Sequence, residues 1–126
     1  MSIPIVILNK NNGIPDVKIF IGQAHDATYE SASWDSNKNN LKIYQGIIDE
    51  ELYEIYSLGI DLDELEAGFL TWKINVFSAS GGIGERYFVK VEIQQNSETV
   101  TNGVFTRSGE LEGQKVVVGR CKFQIN

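Results

Sequence analysis

Residues 69–95, FLTWKINVFSASGGIGERYFVKVEIQQ, carry the clearest folding signal in the chain. Leu70, Trp72, Ile74 and Val76 alternate with Thr71, Lys73 and Asn75. That period of two is the mark of a strand with one face in a core. Tyr87, Val89, Val91 and Ile93 repeat the pattern against Phe88, Lys90, Glu92 and Gln94. Ser80 to Gly84 between them read as the glycine-rich tip of a hairpin, where positive φ is tolerated. A phosphate cradle is disfavoured there, because the glycines stand between two strands and no Lys-Ser/Thr pair follows them.

Outward from this stretch, most segments are also strand-like. Residues 3–8 alternate, with Pro4 suggesting an edge or a first-residue position, where a missing N–H does least harm. Residues 17–21 alternate after the turn cluster NKNNGIP at 9–15, close enough to residues 3–8 for a hairpin. Leu41 to Gln45 and Thr99 to Phe105 are further runs, the second interrupted by the bulge or turn signal Asn102-Gly103. Ser108 to Gly113 read as the last loop. Residues 115–125 form the clearest long strand, with Val117, Gly119, Cys121, Phe123 and Ile125 on one side. Ile48, Leu52, Ile55 and Tyr56 recur at helical spacing, which predicts one short helix near residues 49–58, with Asp49 as N-cap and Gly59 as terminator. The sum is a single all-β domain over residues 1–126, an antiparallel β-sandwich of about seven to nine short strands. Antiparallel pairing is expected because the connections are too short for parallel crossovers.

Composition narrows the function. The 126 residues carry 17 acids and 11 bases, a formal charge of −6. Nucleic acid is thereby disfavoured, since phosphate binding draws on clustered Lys and Arg. No apolar stretch approaches the roughly 18 residues of a membrane span. One cysteine, Cys121, excludes an intrachain disulfide, and with no basic leader at the N-terminus a reducing, cytoplasmic setting is expected. Cys121 itself reads as a core residue, lying on a patterned face beside Phe123.

No catalytic, metal or nucleotide motif is present. His25 is the only histidine, and its neighbour Asp26 points to the opposite face of an extended chain, which does not make a dyad. The leading expectation is a non-enzymatic module that binds a protein or a glycan through loops at one end. The irregular stretch 23–40 supplies His25, Asp26, Tyr29, Trp34 and Asp35 as candidate contacts, because aromatics beside polar loops suit glycan stacking or an interface. A second reading is a calcium-dependent membrane or glycan binder. Eight acids fall within residues 49–66, and Asp61, Asp63, Glu64 and Glu66 are the oxygen donors it would use, although their spacing is not that of an EF-hand loop. An enzyme with a site assembled from scattered residues is the third. A second copy of the chain could also pair along the 115–125 strand.

Overall fold

The structure, a computed structural model, describes residues 2–22, 25–49, 52–78 and 85–126. The described residues form nine strands in chain order: β1 (Ile5–Leu8), β2 (Asp16–Ile21), β3 (Asp26–Trp34), β4 (Asn40–Ile48), β5 (Tyr53–Ser57), β6 (Phe69–Phe77), β7 (Glu85–Gln95), β8 (Glu98–Leu111) and β9 (Gln114–Ile125). They form one mixed sheet in the order β4-β3-β6-β9-β1-β8-β7-β2-β5. The sheet curls into a nearly closed, barrel-like wall rather than two antiparallel layers.

Alternation along each strand is what lines the barrel. Leu70, Trp72, Ile74 and Val76 of β6 point inward, as do Val89, Val91 and Ile93 of β7 and Val117, Cys121 and Phe123 of β9. Burial pushes the Cys121 thiol up to about 12, so it is packing material and not a nucleophile at neutral pH. The bend at Asn102, whose φ is 61°, falls where β8 slips its register on β7 between Glu92 and Gln94. The bulge signal in Asn102-Gly103 is therefore real.

Partners, unlike faces, differ from expectation. β6 pairs with β3 and β9, whereas β7 pairs with β2 and β8, so residues 69–95 are not a hairpin. The glycines proposed for its tip lie outside the described residues. β1 does not pair with β2 either; it lies between β9 and β8, parallel to the first. The rule against parallel neighbours governs consecutive strands, and these two are the ends of the fold. Pro4 precedes β1, so its missing N–H falls outside the ladder, while its carbonyl accepts from Lys122 N at 2.9 Å. The loop after β1 is held by Gln95, whose side chain bonds the backbone of Asn9 and Gly13. Residues 108–111, read as a loop, continue β8, and the turn is confined to Glu112-Gly113.

The helix expected near 49–58 is a strand over its second half. β5 pairs with β2 from Asp16↔Ser57 to Phe20↔Tyr53. Five residues gain more from a ladder against β2 than from one and a half turns of isolated helix, whose nucleation is unfavourable. The helix is α1 (Leu62–Leu65), a single turn that buries Leu65. The free edges are β4 and β5, and β9, expected to offer an edge to a second chain, is interior.

Those edges face each other across a tyrosine stack. The Tyr56 ring lies 4.9 Å from Tyr44 and 5.4 Å from Tyr29, centroid to centroid. Tyr56 donates to Ser31 Oγ at 2.8 Å, Tyr44 donates to the Leu58 carbonyl, and the Ser33 hydroxyl lies 3.1 Å from Tyr44 Oη. Glu54 also points inward from β5 and leaves Oε2 without a partner of hydrogen-bond geometry among the described residues. Gly46 makes room for this group, because a Cβ there would come within 2.5 Å of the Tyr29 ring and 2.6 Å of Glu54 Oε2. An inward charge and stacked phenols spoil β4 and β5 as templates for a foreign strand.

Two outcomes follow from this packing. A Cβ on Gly119 would stand 2.4 Å from Trp72 Cε2, so Gly119→Ala should destabilise the fold by about 1–3 kcal/mol in urea melts. The second concerns pH. Burial raises the phenols of Tyr29, Tyr44 and Tyr56 above the ordinary 10.0, with Glu54 adding to the effect at Tyr29. The unfolded chain ionises near pH 10.0 while the folded chain keeps its phenolic protons, so stability is intact below that pH and falls above it. Melting temperature measured from pH 8 to about 11 should drop steeply above pH 10 in the native chain. The drop should be shallower in Tyr56→Phe, which at pH 8 should itself lose about 1 kcal/mol.

Candidate functional site

The five side chains proposed as a loop-borne site do not gather. β3 carries Asp26, Tyr29 and Trp34 along about 27 Å of extended chain, with His25 just before the strand and Asp35 just after it. At its start, His25 is buried and its Nε2 lies 2.9 Å from the Arg86 carbonyl, with Glu85 Oε2 3.5 Å from Nδ1. Asp26 is exposed on the other side. At its far end, Trp34 Nε1 donates to Thr71 Oγ1 at 3.0 Å. Asp35 is spent on the turn after β3, accepting from Asn37 N and Asn39 N at 2.9 Å each, and these bonds hold its carboxyl below the usual range. Tyr29, midway, belongs to the tyrosine stack. Residues 23–40 and 49–66 do meet, but inside the wall at that stack.

The acids 61–66 occupy the single turn of α1. Asp61 precedes it, Asp63 and Glu64 lie in its first turn, and Glu66 follows it with Oε2 accepting from Ile125 N at 2.9 Å. Among the described residues, no three His, Cys, Asp or Glu side chains converge as a metal site would require.

A different place has the shape of a binding site. β1 has only four residues, and it fills the space between β8 and β9 over one part of their length. It pairs with β9 from Lys122 to Ile125 and with β8 at Thr101. Past the bulge at Asn102, β8 pairs with β7 alone, while β9 pairs with β6 alone. Among the described residues no strand pairs between them there. A cleft of about 840 Å³ opens in the gap, entered beside residues 2–4.

Its floor is core. Trp72, Val89, Val91 and Val117 are inward residues of β6, β7 and β9, and Phe105 stands on the β8 side with its ring 5.0 Å from that of Trp72. Gly119 lies beneath the indole and lets it lie flat against β9. Val104 and Val118 form an exposed apolar rim, with Thr71 and Thr106 as hydroxyl contacts. A shallower groove of about 560 Å³ runs over β3, β4 and β6, lined by Tyr29, Gly46 and Ile47 together with Thr28, Glu30, Gln45, Lys73 and Asn75. The cleft combines concavity with apolar walls and a few polar groups, the usual make-up of a small-molecule site.

Sequence reasoning assigned Trp72 and its neighbours to the core and missed the cleft. The one legible signal was the Asn102-Gly103 bulge, which marks where β8 turns away.

No family model and no curated protein sequence matches the chain. Two solved structures share its fold. A DUF4425 family protein from Bacteroides ovatus ATCC 8483 superposes with a TM-score of 0.50 at 14% identity, covering 86% of this chain and 92% of that one. A domain of unknown function, DUF4425, from Bacteroides vulgatus ATCC 8482 gives 0.53 at 11% identity, with 89% and 95% covered. At these identities the likeness is one of fold, and the functions of both neighbours are themselves unknown.

Proposed function

We propose that the chain is a non-enzymatic binding module that takes a small, largely apolar molecule into the cleft between β8 and β9. The observation that carries this reading is the break in the wall: about 840 Å³ of concave space reaching Trp72, Phe105 and the core valines. A barrel that served only as a scaffold would gain by closing the gap, since each exposed apolar wall forgoes about 25 cal/mol per Å² of burial. The earlier expectation of a protein or glycan held by loops finds less support, because its candidate contacts stand at opposite ends of β3 or inside the tyrosine stack.

Trp72 supplies a local reporter. The chain has two tryptophans, so in Trp34→Phe the cleft residue is the sole emitter. Titration of that variant with the neutral dye N-phenyl-1-naphthylamine should give saturable, one-to-one quenching of Trp72 and a matching rise in dye emission. Decanol should displace the dye. A response that never saturates, or a bound dye that decanol does not compete for, would overturn the reading.

A further inference from the structure

The register of β8 places an arginine where the barrel's interior begins. Val91↔Phe105, Lys90↔Thr106 and Val89↔Arg107 pair in unbroken sequence, and residues opposed across antiparallel strands share a face. Val91 and Val89 are core, so Arg107 occupies an inward position, two residues from Phe105. It is nevertheless exposed, because the cleft opens in front of it. Arg120 lines the same cleft from β9; it pairs with Thr71 and belongs to the outer rim. The chain has only three arginines, and two of them are here. Neither has an ion-pair partner among the described residues.

An inward guanidinium over valines and aromatics contributes nothing to packing that an aliphatic residue would not supply better. Arg107 is open to solvent, and the residue opposite it is Val89 rather than a carboxylate, so its guanidinium is accessible to an anion that enters the cleft. Guanidinium matches a carboxylate through two parallel N–H···O bonds, stronger than neutral ones. On a chain of net charge −6, this pair of arginines is a local exception that an anion would find. Resting on the cleft reading above, we propose that the ligand is a single-chain amphiphile with a carboxylate head. Arg107 holds the head, assisted from the rim by Arg120, and the chain lies against Trp72, Phe105 and Val117.

Displacement of bound N-phenyl-1-naphthylamine separates this proposal from the reading it rests on. Decanoate should compete about tenfold better than decanol at equal chain length, and decylamine should compete worse than decanol. The decanoate advantage should shrink with added salt and vanish in Arg107→Gln, read as the ratio of decanoate to decanol competition within that variant. Arg107→Lys should keep part of the advantage. Decanoate competing no better than decanol, or an advantage that survives Arg107→Gln with unchanged melting temperature, overturns the anionic head and leaves the cleft reading standing. If the dye itself fails to bind, it is the cleft reading that falls. Should Arg107→Gln not fold, the native chain's order of decanoate, decanol and decylamine still decides the matter.

Discussion

Four residues, Ile5–Leu8, hold the two halves of this molecule together. On one side of β1 stand β4, β3, β6 and β9, and on the other β8, β7, β2 and β5. Each half could satisfy its internal ladder without the other, and among the described strands β1 is the one whose ladder joins them. Its two inward side chains, Val6 and Leu8, are fully buried. A sheet of this size must close, split or cover its edges, because an open edge leaves a row of unpaired amides. β1 closes one side with backbone. The gap between β8 and β9 lies beyond the stretch that β1 spans, so the joint and the cleft adjoin each other.

On the far side, closure is done by side chains. β4 and β5 meet through Tyr44, Tyr56 and Tyr29, with serine hydroxyls and the Leu58 carbonyl taking the phenolic protons. Rings supply the area and hydroxyls avoid the cost of burying unpaired polar atoms. Glu54 and Gly46 belong to the same arrangement, one through charge and the other through the missing Cβ. The barrel thus has one wall of covalent chain and one of stacked phenols, and they differ in what disturbs them. Alkali acts on the phenols, whereas the gap beside β1 is walled by apolar side chains.

Much of the fold was legible, and the errors have a common form. Alternation in residues 69–77 and 85–95 identified the strands and their inner faces, including Trp72, because facing is a local property. The hairpin between them was wrong because pairing is not local: both strands found other partners. Residues 49–58 failed for the converse reason. Their helical spacing was genuine but short, and the β2 ladder outweighed it. The site was less legible still. His25, Trp34 and Asp35 were chosen for their side-chain chemistry, and each is occupied within the fold by a carbonyl, a threonine hydroxyl or a turn.

By itself the sequence determined that this is an all-β chain with a core of Leu70, Ile74, Val91, Cys121 and Phe123, and a turn or bulge at Asn102-Gly103. These depend on period, composition and turn chemistry, which a linear reading contains. Tertiary structure alone decided that the ends of the chain run parallel, that β4 and β5 are the edges, and that Arg107 faces inward beside a cleft. All three depend on register between strands far apart in the chain. A register shift of one residue would leave the hydrophobic pattern of β8 recognisable and move Arg107 to the opposite face.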